Sequence, residues 1–297
     1  MRLPTAISAL LQEPPPAMAF ELSEAGIAMA RIGSKTELDF RPLKPGVLAI
    51  TPLKDNVIMP DELSFAVRDL APQSGKTKRR DAALILPDNC ARIAVLDFDS
   101  LPSDVKEQAS LIRFRLRKSV PFDVESAAMS YSVQAAEGGK LDVVVVLAPL
   151  EVVSRYEAPF RAAGMNPGLV TTSSLAALDL IEDGGVTVVA KVTGRSLTVM
   201  VLNHGRLKLV RCLEISGGDV HEIAADLYPT FVYIEDNLGA RTEKLLLCGF
   251  GPRMEEARHQ FHTELGVDVE PVRSPLGLPG ENNAGLLGYL RSVGRDN

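Results

Sequence analysis

The segment Ser74-Gly75-Lys76-Thr77 has the residue types that close a phosphate-binding loop, where backbone N–H groups and a lysine gather phosphate oxygens. The full pattern needs a glycine five residues before Gly75, and Leu70 stands there. The segment also follows an expected helix, whereas the motif follows a strand. It is not read as a P-loop, and the basic run 76–80 reads as a solvated loop. His259 and His262 lie three apart on an expected helix, a spacing that lets two imidazoles share a metal. Only the isolated His204 and His221 complete the histidines, so a solvated helix face is the reading. There is no Gly-x-Ser-x-Gly elbow and no Cys–His spacing of the nucleophile-and-base kind. Glu255 and Glu256 fall in a first helical turn, where negative charge is favourable without any catalytic role. In the stretch 215–219, Gly217 and Gly218 join a strand to a helix N-terminus. They could let the backbone approach an anion or simply make a tight turn, and both readings stand on the sequence alone. The run 244–251, Lys-Leu-Leu-Leu-Cys-Gly-Phe-Gly, reads as a buried strand ending in a glycine turn at Gly249 and Gly251.

The chain that must position these residues has 297 amino acids, enough for two lobes with their own cores. Its net charge of −6 argues against a general nucleic-acid binder. Cys90, Cys212 and Cys248 are odd in number and widely spaced, which reads as reduced core thiols in a cytoplasmic chain. No apolar run reaches the ~20 residues that span a bilayer. Residues 1–16, stopped by three prolines, read as a loosely docked arm.

The patterns predict a hairpin over 17–22 and 27–32, a strand at 47–51, and a helix at 62–70. Strands at 81–86 and 91–98 follow, then a helix from Ser103 or Asp104 to about 119. Its last turn collects Arg113, Arg115, Arg117 and Lys118, cations that the helix dipole favours there. Strands at 129–134 and 141–148 precede a helix at 151–163. The second half reads as a helix at 173–181, strands at 186–192, 196–202 and 207–215, and a helix at 219–238 kinked by Pro229. A strand at 244–248, a helix at 254–265, a strand at 267–269 and a helix at 283–293 complete it. Each half opens with hairpins that feed a helix, as duplicated lobes would.

In order and spacing, three stretches resemble the PilM-type proteins of type IV pilus assembly, actin-like relatives of the cell-division protein FtsA. They are Val120-Pro121-Phe122-Asp123 with Tyr131-Ser-Val-Gln134; residues 206–218, which look like the family's Gly-x-Leu … Arg-x-Ile-x-x-Gly-Gly strand and turn; and residues 245–269. The resemblance covers about 17–293. It implies an α/β, actin-like (ribonuclease H-like) fold of two lobes. The first lobe would span 17–183, with an inserted αβ subdomain at 101–167. The second, at 184–297, would lack most of its small subdomain, since only 25 residues lie between Gly218 and Lys244.

The family binds ATP between its lobes, and this chain departs from the family pattern there. Where the first phosphate loop has Asp-x-Gly-Ser/Thr, this chain has Glu21-Leu22-Ser23-Glu24. The Ser23 side chain would crowd a phosphate, and Glu24 would repel one. The second loop's Asp-x-Gly is Lys191-Val192-Thr193, so the organiser of Mg²⁺ has become a cation that could hold a phosphate directly. The vestigial nucleotide positions are Ser23, Lys191, Thr193, Gly217, Gly218, Gly249 and Gly251. No catalytic or metal-ligating residue is assigned, no cofactor is required, and weak ATP binding is the most these loops would support. The function implied is a non-catalytic scaffold, cytoplasmic and peripheral to the inner membrane. It would bind the N-terminal cytoplasmic peptide of a PilN-like membrane protein, beside other platform proteins, near 101–167. The alternatives are an active actin-like ATPase or kinase, or a type II secretion platform component.

Overall fold

A computed structural model describes residues 15–53, 55–72, 80–135, 139–182, 184–216 and 219–295. The stretch 74–77, most of the arm, Gly217 and Gly218 lie outside the described residues.

Two five-stranded sheets form the framework. The first uses β1 (Met18–Leu22), β2 (Gly26–Arg31), β3 (Glu37–Pro42), β4 (Arg80–Leu86) and β8 (Met165–Thr172), in the order β3-β2-β1-β4-β8. The second uses β9 (Val186–Thr193), β10 (Ser196–Asn203), β11 (Arg206–Glu214), β12 (Lys244–Cys248) and β13 (Asp268–Pro271), in the order β11-β10-β9-β12-β13. In each sheet a hairpin continues into parallel pairing, β1 with β4 and β9 with β12. The near-continuous apolar runs of β4 and β9 suit strands covered on both faces.

The helices Ser173–Ala177 and Ala284–Arg295 lie against each other and join cores from both sheets. Their approach needs glycine. A Cβ on Gly288 would sit 1.9 Å from the Ala176 carbonyl oxygen. Helices Pro60–Leu70 and Leu150–Ala162 cover the other face of the first sheet, where Phe20 meets Phe160 edge-on with centroids 4.9 Å apart. Helices Val220–Leu238 and Met254–Leu265 cover the second.

A third sheet, β5-β7-β6, is made from β5 (Arg92–Phe98), β7 (Leu141–Pro149) and β6 (Ala127–Ala135), with helix Val105–Leu116 packed on one face. Asp104 caps that helix through the N–H groups of Lys106 and Glu107. The added unit thus draws on residues 92–149 rather than 101–167. Helix Leu150–Ala162 sends Val152, Tyr156 and Phe160 into the first lobe's core.

Three local expectations are corrected. Residues 47–51 form no strand; Leu48 makes one bridge to Val57. β3 was missed because it is an exposed edge strand carrying as many charges as apolar side chains. β8 was missed because Pro167 and Gly168 interrupt its pattern, and the register against β4 shifts between Ala82 and Ala83 to absorb the extra residue. As expected, one helix, Val220–Leu238, spans Pro229, which lies on its exposed side, and Asp219 caps it.

Candidate functional site

The β1–β2 turn, the 3-10 turn Asp88–Cys90 after β4, the end of β9 and the first turns of the two central helices converge between the lobes. Lys191 is buried within the apolar β9, 1% exposed. A buried ammonium requires a counter-charge, and its Nζ lies 3.0 Å from Oδ2 of Asp88, itself buried. The same ammonium donates to Thr193 Oγ1 at 2.8 Å. Asp88 accepts further bonds from the Thr198 hydroxyl at 2.9 Å and the Ser174 backbone N–H at 2.7 Å. Burial pushes the Asp88 carboxyl upward, but the Lys191 charge and these donors hold it below the usual value. Burial likewise works against the Lys191 charge, and the carboxylates of Asp88 and Glu21 overcome it, raising the lysine above its ordinary value.

Glu21, at the matching position of β1, is the second buried carboxyl. One oxygen accepts from the Ser173 hydroxyl and the other from the Leu286 N–H at 2.7 Å. Burial dominates here and raises its pKa despite the lowering influence of Lys191 and these donors. One ammonium shared by two carboxyls explains the split, because Lys191 is in direct contact with Asp88.

This arrangement does not fit a metal-bound nucleotide. A divalent cation would need the two carboxyls as negative ligands, yet Asp88 already pairs with the Lys191 ammonium and Glu21 is held by the Ser173 hydroxyl and the Leu286 N–H. Lys191 is buried and engaged by Asp88 and Thr193, so in this structure its ammonium is turned to partners inside the fold. Ser23 is buried in its own turn, its hydroxyl donating to the Gly26 carbonyl at 3.1 Å. Glu24 is exposed, and one of its oxygens accepts from the Ile50 N–H at 3.4 Å. Gly249 ends β12 at φ +79°, and a Cβ there would lie 2.1 Å from the Val192 carbonyl oxygen. That glycine serves strand packing. Gly251, at φ +51°, has only the Glu281 side chain near it.

Asp88, Thr198 and Ser173 were not singled out by sequence reasoning. The signals were present: a lysine inside a valine-rich strand needs a buried partner, and Asp88 stands just past the carboxyl end of a buried strand, where α/β proteins place functional groups. His262 Nδ1 lies 2.8 Å from the Val267 carbonyl, and no metal-binding group of histidines, cysteines and carboxylates occurs among the described residues.

A second feature is a groove of about 880 Å³ between the three-stranded unit and the first lobe. Its walls include β6 and β8, each the last strand of its sheet, so both free edges face the same space. Val144, Val146, Leu175, Leu178 and Leu202 give it an apolar lining. Gln134 closes one end with a reciprocal pair of 3.0 Å bonds to the backbone N–H and carbonyl of Leu207. A part-buried ion pair between Lys208 and Asp142 fastens the same seam. Among the described residues no helix is long and apolar enough to cross a membrane.

No family model matches the sequence, and no curated protein does. Solved structures do. A chain of a PilM–PilN type IV pilus biogenesis complex superposes with a TM-score of 0.77 at 19% identity, over 95% of this chain and 99% of that one. A Bacteroides thetaiotaomicron protein of actin-like ATPase fold and unknown function gives 0.57 at 12% identity, over 93% and 95%. The cytoplasmic domain of EpsL, an inner membrane component of the type II secretion system of Vibrio cholerae, gives 0.54 at 11% identity, over 93% and 94%. On these likenesses, the two lobes with their duplicated hairpin sheets and central helices have the actin-like fold.

Proposed function

We propose that this chain is a non-catalytic scaffold of a type IV pilus assembly platform, holding the N-terminal peptide of a PilN-like membrane protein in the groove between β6 and β8. The observation that carries the non-catalytic part is the contact between Lys191 and Asp88, which puts a buried internal cation between the lobes where the fold's metal and phosphates would sit. Turnover would need those carboxyls free to organise a metal and a water. At most, weak ATP binding remains.

The groove supports the binding part. An extended peptide gains main-chain hydrogen bonds from a free strand edge, while its alternate side chains enter apolar pockets. Two facing edges over an apolar floor supply both. The high similarity to a chain of the PilM–PilN complex supports the choice of partner. Contact with the inner membrane and with other platform proteins would then be indirect, through that partner.

Titration of the full chain with a synthetic PilN-type N-terminal peptide tests this reading. Saturable binding is expected, and no binding at ~1 mM, where the interaction would be worth only about 4 kcal/mol, would refute it. Micromolar ATP affinity with Mg²⁺-dependent turnover would overturn the non-catalytic assignment. The likeness to the EpsL cytoplasmic domain favours a second reading as a secretion-platform component. Preference for a type II secretion peptide in the same titration would select it.

A further inference from the structure

Two helices present exposed faces that complement each other. The longest helix, Val220–Leu238, buries Val220, Ile223, Ala224, Leu227, Thr230 and Ile234 against the second sheet. Its opposite face carries Ala225, Tyr228, Pro229 and Val232, all exposed, at the i, i+3, i+4, i+7 spacing of a packing ridge. Tyr228 is 62% exposed. Acidic residues bracket the ridge, with Glu222 before it and Glu235 and Asp236 after it, all exposed.

Helix Val105–Leu116 has the converse pattern. Ile112 and Leu116 face its own sheet, while Phe114 is 74% exposed. Lys106 lies two turns before Phe114, beside the exposed Glu107, and Arg117 and Lys118 lie just past the helix end, about one turn after Phe114, so cations outnumber the one carboxylate on this exposed face. At 1.5 Å per residue, the acidic brackets are about 20 Å apart and the basic ones about 17 Å. A chain of net charge −6 has therefore gathered a basic, aromatic face on one helix and an acidic, apolar face of matching length on another.

We propose that these faces bind each other between two copies of the chain: the helix Val105–Leu116 of one copy, with Phe114 against the Tyr228–Val232 ridge of the next and its cations over Glu222, Glu235 and Asp236. Charge complementarity selects this occupant and fixes the register. The contact joins unlike patches, so it is heterologous. Neither face belongs to the groove between β6 and β8, so self-association and peptide capture are independent properties.

Sedimentation velocity over a concentration series tests the proposal on the full chain. The parent should show reversible, concentration-dependent association that weakens with added salt. Phe114→Glu and Tyr228→Glu should each weaken it at least about tenfold, as loss of an interface anchor does. Both side chains are exposed, so the thermal transition should stay in place, which separates lost contact from lost folding. The decisive arm is charge exchange. Arg117→Glu with Lys118→Glu, or Glu235→Lys with Asp236→Lys, should each abolish association, and mixing the two variants should restore it. A parent that stays monomeric at ~100 µM, association that survives both single substitutions, or failure of the mixed variants to associate would each overturn the proposal.

Discussion

The Lys191 ammonium lies 3.0 Å from Asp88 across the junction of the lobes, with both side chains almost wholly buried. β9 of the second lobe supplies the cation and the turn after β4 of the first supplies the anion. The pair is therefore also a tie between lobes.

Breaking that tie on one side should be costly, because a buried charge would be left without its partner. Lys191→Met is expected to lower stability by about 3–5 kcal/mol. Asp88→Asn combined with Lys191→Met should recover a large part of that loss. Denaturant unfolding of the four members of the cycle checks this, and additive losses would contradict the coupling.

Glu21 makes a prediction with pH. Its pKa in the fold lies above its ordinary value of 4.5, so the folded chain holds this proton more tightly than the unfolded one. Its contribution is complete below the unfolded value and is lost as pH rises through the raised folded value. Asp88 has the opposite sign: its contribution is present above the ordinary value of 3.8 and lost as pH falls through the lowered folded value. Glu21→Gln keeps an acceptor for the Leu286 N–H and reverses the bond to Ser173, its amide donating to the hydroxyl oxygen. Relative to the parent, this variant should gain stability as pH rises above 4.5. Melting curves across that range would show a constant difference if Glu21 were not shifted.

Gly249 separates architecture from nucleotide chemistry. Gly249→Ala combines a positive φ with a 2.1 Å approach to the Val192 carbonyl. A loss of about 2 kcal/mol or more in the chain alone is expected. Gly251→Ala has open space around it and should cost about 1 kcal/mol, from its backbone conformation only. Equal melting temperatures for the two variants would refute the distinction.

The groove can be tested without disturbing the cores. Leu169 lines it from β8 and is partly exposed, so Leu169→Arg should leave the thermal transition within about 0.5 kcal/mol of the parent. Peptide affinity should fall at least about tenfold. Calorimetric titration of variant and parent measures this, and unchanged affinity would place the peptide elsewhere.

The hairpins, the parallel strands and most of the helices were legible in the sequence because each signal is local. A valine-rich run, an Asp cap or a left-handed glycine declares itself within a few residues. β3 and β8 escaped because an exposed edge and a Pro-Gly bulge erase the alternation that marks a strand. Set beside the family that the sequence resembles, Lys191 stands where that pattern has a carboxylate and Ser23 where it has a glycine. What the lysine does instead was decided by tertiary structure, because its counter-charge, Asp88, lies 103 residues before it, in the turn after β4 of the other lobe. The groove was likewise set by long-range packing, since free strand edges exist only once the order of strands in two sheets is fixed.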